Sequence, residues 1–556
     1  MLCQCITMGL LGILTMIPVQ AQTPNTLPPR SPTPEAPVPL PPLEELLPQP
    51  NIPIPNQELF LVPGNITINR FVVEGSTLFT AEELAKITAP FTGHPITFTE
   101  MVRAAGAIAQ LYIDRGYVTS GAFIPANQTF NRLGATVKIQ VVEGQLSAIQ
   151  IKKIGRLDPN YIRDRLAMSG SQPLNINRLI EKLQLLQLDP LIQNISAELT
   201  AGSNPGESVL NVAVVEADSF STSVDLDNTR SPSVGEVKGG IRLQEGNLLG
   251  FGDRINLGYS DTEGSNTLET SYILPLNPQN GSLRLAYNTT SSEVIESAFR
   301  QLNITAASRS YEITLRQPLI QTPSQEFAIG LSGTRKESET SLLGLKFPLS
   351  PGADNQGSTR ISALRFFQEF TSRNQRSVIA LRSQFNLGVG WLNSTWNNNP
   401  PDSNFFTWQG QAQYVKLLAP DSLLLLRADA QLADRPLVAL EQFGLGGSDS
   451  VRGYRQNFLL HDNGVFSTAE LRLPIARISA NGVLQLTPFV DFGTGWSNSS
   501  SSAMNTLASA GLGLLWRQGN TLTARLDWGI PLVSTSGSQE TWQEKGIYFS
   551  LVYSPF

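Results

Sequence analysis

Two residue types that build covalent and metal frameworks are almost missing. Only two Cys (Cys3, Cys5) and two His (His94, His461) occur in 556 residues, and both Cys fall within the first five positions. The rest of the chain has no disulfide framework and no Cys/His zinc site. Long apolar runs are missing too: mean hydropathy is −0.07, and no run reaches the ~18 residues a spanning helix requires. That excludes a helical membrane protein but not a β-barrel, whose strands carry a much weaker signal. Basic excess is also absent. With 40 Lys and Arg against 46 Asp and Glu, net −6, the chain has no nucleic-acid footprint. Gly446-Gly447-Ser448 lacks the lysine of a phosphate loop, and no Ser/His/Asp arrangement stands out. The expectation is a non-enzyme without cofactor or metal, and His461 reads as a polar loop residue.

What is present changes character along the chain. Residues 6–17 form a short apolar stretch, followed by Pro18-Val19-Gln20-Ala21. This reads as a secretory signal peptide over 1–21, although no Lys or Arg precedes Arg30. Residues 22–56 hold 13 Pro in 35 positions, the composition of an extended spacer that cannot pack a core, and 22–63 is assigned as a Pro-rich linker. From 64 to 217 strand and helix patterns mix. Strand alternation at 66–74, helical spacing at 81–87 and 98–115, then strands at 118–124 and 135–142 make one unit. In its second helix Val102, Ala105, Ile108, Ala109 and Tyr112 share a face. The plan recurs with a strand at 148–154, helices at 159–168 and 176–188, and strands at 193–200 and 208–215. Two tandem α+β domains of β-α-α-β-β order, 64–144 and 145–217, are predicted.

Beyond 218 helical spacing disappears. Alternation is clean in 422–432, where Leu424, Leu426, Ala428, Ala430 and Leu432 interleave with Arg427, Asp429 and Gln431. In 522–530, Leu522, Ala524, Leu526, Trp528 and Ile530 interleave with Thr523, Arg525 and Asp527. One apolar face over ~9–11 residues is what a tilted membrane strand needs. A soluble sandwich also alternates but buries its apolar face. Sixteen such segments are found between 219 and 556, and the even number places both barrel ends on the periplasmic side. The prediction for 218–556 is a 16-stranded antiparallel transmembrane β-barrel in the bacterial outer membrane, in contact with its lipid.

The connection between the eleventh and twelfth segments contains Val451-Arg452-Gly453-Tyr454, and the thirteenth contains Phe489-Val490-Asp491-Phe492-Gly493. Alternation puts Phe489, Asp491 and Gly493 on one face, which the carboxylate marks as the lumen. This pair of motifs, with Tyr112-Ile113-Asp114-Arg115-Gly116-Tyr117 in the first α+β domain, resembles the two-partner secretion transporters (the TpsB family). These are outer-membrane barrels with periplasmic POTRA domains, and the resemblance covers almost the whole chain.

The resemblance implies that the 451–454 loop folds back into the lumen and that Arg452 pairs with Asp491 on the wall. Glu470, lumen-facing on the twelfth segment with Arg472, is the other candidate partner. Gly453 then permits close backbone approach, and Tyr454 packs on the wall. It further implies a pore that exports an unfolded partner exoprotein captured by the POTRA domains; the oligomeric state stays open, although nothing in the sequence requires more than a monomer. The readings beside it are an insertase of the same superfamily and a passive porin. Two features depart from the family: a Pro-rich tract stands where a plugging helix is often found, and Pro555 interrupts the terminal strand. Tyr553 and Phe556 in that strand resemble the signal read by barrel-assembly machinery, and Pro555, lacking an N–H, predicts that the last residues leave the ladder.

Overall fold

The computed structural model describes residues 65–128, 134–168, 173–479, 481–499, 505–535 and 540–555. The signal peptide and Pro-rich linker expectations, and Phe556, lie outside them.

The first α+β domain runs β1 (Ile66–Glu74), α1 (Ala81–Thr88), β2 (Pro95–Ile96), α2 (Phe98–Asp114), β3 (Gly121–Phe123), β4 (Ala135–Val142). Both helices start on reciprocal capping boxes, Thr80 with Glu83 and Thr97 with Glu100, which satisfy backbone N–H groups that the first turn leaves unpaired. The strands order β2-β1-β4-β3, with β1 and β4 parallel. The buried face of α2 is Met101, Ala104, Ala105, Ile108 and Tyr112. Met101 and Ala104 thus replace Val102 and Ala109 of the sequence-based face. The strand expected over 118–124 shrinks to Gly121–Phe123, because 117–120 make a turn in which Ser120 N–H donates to Tyr117 O.

The second unit runs β5 (Gln145–Ile154), α3 (Pro159–Ala167), α4 (Ile176–Gln187), β6 (Ile192–Ala201), β7 (Glu207–Glu216), ordered β5-β7-β6. Its first strand again lies parallel to its last, and its core is a Leu/Ile/Val cluster centred on Leu166, Leu179, Leu183 and Leu210. The two units adjoin through backbone bonds: Ile176 N–H donates to Gly116 O at 2.8 Å and Leu174 N–H to Gly144 O at 2.7 Å.

The remainder is a closed antiparallel barrel of sixteen strands. The thirteenth is interrupted at Thr487-Pro488, and a two-residue strand, Leu345–Lys346, folds back on the end of the seventh. Closure comes from Ile547–Tyr553 pairing with Phe220–Asp227 over Ser550↔Asp227 to Tyr553↔Val224. The last strand ends at Tyr553, before Pro555.

Burial decides between sandwich and barrel. On the fifteenth strand (Leu522–Pro531), Leu526, Trp528 and Ile530 are 48%, 54% and 45% exposed, while Asp527 is 4% exposed. On the ninth (Ser377–Val389), Leu381, Phe385 and Leu387 are exposed and Gln384 and Asn386 buried. Apolar groups face outward and polar groups inward, the reverse of a water-soluble core and the arrangement a bilayer favours. Among the described residues no helix is long and apolar enough to cross a membrane.

Candidate functional site

The eleventh strand ends at Ala433 and the twelfth starts at Asn463. The chain between them turns into the barrel instead of away from it. Its stem is a short antiparallel ladder, Phe443–Leu445 against Leu459–His461. His461 is therefore a buried stem residue and not a solvated loop side chain; its ring Nδ1 lies 3.1 Å from Ser497 Oγ. Beyond the stem, Gly446 and Gly447 adopt φ of +103° and +97°, values open to glycine and strained for other residues. The Ser450 hydroxyl accepts from Gly446 N–H at 2.8 Å and tightens the turn. Phe443, Leu445, Val451 and Tyr454 then pack against Phe466 and Leu507 of the wall.

The tip presents Arg452 to the wall. Its Nε donates to Asp491 Oδ2 and its Nη2 to Oδ1, both at 2.8 Å, and its backbone N–H donates to Oδ2 at 3.0 Å. Its Nη1 donates to Glu470 Oε2 at 2.9 Å and lies 3.6 Å from Asp527 Oδ2. The guanidinium carbon sits 3.3 Å from the ring centre of Phe489, within cation–π range. A planar fork with five donors suits this set of acceptors; a lysine ammonium cannot match the geometry.

Burying so many charges is tolerable because they balance. Arg452, Arg472 and Arg525 interleave with Glu470, Asp491 and Asp527. Arg525 Nη2 donates to Glu470 Oε2 and its Nε to Asp527 Oδ2, each at 2.6 Å, and Arg472 Nε donates to Glu470 Oε1 at 3.0 Å. Such a cluster holds only while every partner is present; removing one strands a buried charge. All of its members except Asp491 line an interior cavity of about 470 Å³, together with Asp449, Ser450 and Tyr548.

The structure places Phe489, Asp491 and Gly493 on the inner face of the thirteenth strand, with Val490 and Phe492 outward. Each does something distinct. Phe489 underlies the guanidinium and Asp491 receives it. Gly493 leaves room for the loop, since a Cβ there meets Leu445 Cδ2 at 2.7 Å and Val451 Cγ2 at 2.9 Å. Asp491 and Glu470, weighed as alternatives from sequence, both hold Arg452. Gly453 has φ +97° and lies against the backbone of Gly529 and Pro531. Its N–H donates to the Tyr548 hydroxyl at 2.9 Å, and that hydroxyl donates to Tyr454 O. Tyr454 is buried, its hydroxyl bonding with Ala508 O and accepting from Val533 N–H at 3.2 Å. Tyr553 is exposed on the outer face.

Sequence reasoning missed Thr468, Arg525, Asp527, Gly529 and Tyr548. Alternation on the fifteenth strand already set Arg525 and Asp527 on the inner face; what it lacked was any sign of which inner charges the loop would reach.

Comparison with known proteins covers most of the chain. The family described as haemolysin secretion/activation protein ShlB/FhaC/HecB matches residues 206–515, and the POTRA domain of ShlB type matches 66–144. The outer membrane transporter CdiB of Dickeya dadantii (strain 3937) is 22% identical over 77% of this chain and 76% of its own. The heme/hemopexin transporter protein HuxB of Haemophilus influenzae (strain 86-028NP) is 22% identical over 81% and 80%. The solved structure of CdiB from Escherichia coli superposes with a TM-score of 0.69 at 20% identity, over 90% of this chain and 93% of that one.

Proposed function

Because the chain belongs to the haemolysin secretion/activation protein family ShlB/FhaC/HecB, a family of two-partner secretion outer-membrane transporters, we propose that it exports one partner exoprotein as an unfolded chain. In this reading the α+β domains stand in the periplasm and capture the incoming segment, the barrel interior supplies a polar path, and the Arg452 loop sets whether that path is open.

The observation that carries the reading is the loop's attachment. It occupies the barrel interior, and its tip is fixed to the wall by the hydrogen bonds and ion pairs of Arg452 together with the packing of Val451 and Tyr454 against Phe466 and Leu507. The polar bonds exchange for those of a passing polar backbone, which lowers the cost of the tip's leaving and returning. Capture is supported by the sheet edges. Among the described residues β3 pairs with β4 alone and β6 with β7 alone, and Phe123 on β3 is 51% exposed. An extended segment adding to such an edge binds through its backbone, which suits an unfolded cargo of varied sequence. The second unit, whose first strand lies parallel to its last as in the POTRA-matched domain, is read as a second POTRA domain.

The test is secretion of the exoprotein encoded beside this gene, in cells carrying the wild-type protein or Arg452→Ala, with equal amounts of heat-modifiable barrel in the membrane. Secretion collapses in the variant. Unchanged secretion overturns the role given to the loop.

A further inference from the structure

The loop is fastened in a second place, which its recognisable motif does not mark. After the eleventh strand the chain crosses to the seventh and eighth strands before returning to form the 443–461 stem. There Leu437, Val438 and Leu440 pack on Ile361, Ala363 and Phe405. Glu441, 3% exposed, accepts from Arg365 Nη2 at 2.8 Å and lies 3.0 Å from Lys336 Nζ. Arg365 is itself oriented by the wall: its Nη1 donates to Asn386 Oδ1 and its Nε to Thr334 Oγ1, each at 3.0 Å. Lys336 Nζ also donates to Leu440 O at 3.3 Å, gripping the arm by its backbone.

These contacts lie on a different stretch of the wall from the first set. Lys336 and Arg365 are on the seventh and eighth strands, whereas Glu470 and Asp491, the carboxylates that hydrogen-bond Arg452, are on the twelfth and thirteenth, four to six strands further round the sixteen-strand ring. Gln431 closes the base, its Nε2 donating to Glu441 O at 2.9 Å and to Asp462 O at 3.0 Å. One loop is therefore braced between two separate stretches of wall, by Glu441 at one end and Arg452 at the other.

We propose that Glu441 is a second latch of the loop, a positioning residue whose pairing with Lys336 and Arg365 must part, like that of Arg452, before the lumen is fully open. Freeing the tip alone leaves the arm held across the pore. Two latches of opposite sign on separate stretches of wall give a closure that no single passing charge undoes: an anionic segment competes with Glu441 for Lys336 and Arg365, a cationic one with Arg452 for Asp491. The inference rests on the export reading for its purpose but not for its measurement.

The experiment reconstitutes full-length protein in planar bilayers and compares wild type, Glu441→Gln, Glu441→Asp, Arg452→Ala and the double variant Glu441→Gln/Arg452→Ala. Glu441→Gln keeps the side-chain volume and removes the charge. It raises the occupancy of large-conductance states several-fold, Glu441→Asp restores most of the closed time, and the double variant is open more than either single one. Lys336→Gln/Glu441→Gln, which leaves less unpaired buried charge, takes the place of Glu441→Gln if that barrel does not insert. Conductance in the Glu441→Gln and Lys336→Gln/Glu441→Gln channels equal to wild type overturns the latch, as does a double variant no more open than Arg452→Ala. The secretion assay separates the two readings. Secretion lost in Arg452→Ala with wild-type conductance in Glu441→Gln leaves export standing and removes the latch; opening in Glu441→Gln with secretion indifferent to Arg452 does the opposite.

Discussion

Arg452 and Asp491 meet through three hydrogen bonds, and one of them comes from the arginine's own backbone N–H. The carboxylate therefore fixes the loop's main chain as well as its charge. This makes Lys a poor substitute: Arg452→Lys keeps the charge but loses the paired Nε/Nη2 donors and the flat contact with Phe489. Exoprotein in the medium, measured by immunoblot against equal membrane levels, falls in Arg452→Lys nearly as far as in Arg452→Ala. Secretion close to wild type in the lysine variant means that charge alone suffices and the fork is incidental.

Sterics offer a test that touches no charge. A Cβ on Gly529 meets Gly453 N at 2.7 Å and Arg452 C at 2.8 Å, both of them backbone atoms that cannot swing aside. Gly529→Ala forces the loop tip off the fifteenth strand, at an overpacking cost of about 1–3 kcal/mol. Gly333 on the seventh strand has nothing within 4 Å of its Cβ position, so Gly333→Ala serves as the control. Secretion drops in Gly529→Ala and stays level in Gly333→Ala; equal secretion in both variants shows that the tip tolerates displacement.

Tyr548 holds two main-chain groups of the loop with one hydroxyl, accepting from Gly453 N–H and donating to Tyr454 O. In Tyr548→Phe the ring stays and both groups lose their partner in a buried site. Each buried unsatisfied group costs about 1–3 kcal/mol. The temperature at which the heat-modifiable band disappears falls in this variant, and more than in Tyr553→Phe, whose side chain faces outward.

The fold was largely legible because the two periodicities differ so plainly. Strand alternation located all sixteen barrel strands, even where Gly482–Leu486 and Phe489–Trp496 are split by Thr487-Pro488. The α2 face was misjudged by a fraction of a turn, since Val102 and Ala109 are as apolar as Met101 and Ala104 and only packing separates them. At the site, alternation set Asp491 and Glu470 on the inner face. It had no means of choosing between them, because choosing depends on where a loop lands on a curved wall. The structure brings both to Arg452. Tyr548 and Glu441 were illegible for the same reason: each meets its partner across nearly a hundred residues or more of chain (Tyr548 with Gly453, Glu441 with Lys336), and neither belongs to a local pattern.

The first α+β domain should weaken in acid for a reason that can be traced to Glu143. Burial works against its carboxylate. The Thr77 hydroxyl and N–H, the Tyr112 hydroxyl and the Leu78 N–H all donate to it, and together they hold its carboxyl below the ordinary carboxylate range. A carboxyl more acidic in the folded state binds fewer protons there than when unfolded. Its contribution is thus complete above the ordinary value of about 4.3 and is lost as pH falls through the lower folded value. The capping carboxylates Glu83 and Glu100 are lowered in the same direction, chiefly by the N–H groups of Thr80 and Thr97. Hydrogen exchange of the full-length protein from pH 7 to pH 3, corrected for the intrinsic rate, follows α2 and β4. Wild type loses protection there as pH drops below the ordinary carboxylate value. Glu143→Gln is less protected at neutral pH and has a shallower acid limb, but not a flat one, since the two capping boxes still titrate. An acid limb of wild-type steepness in Glu143→Gln assigns the whole effect to the caps and removes Glu143 from it.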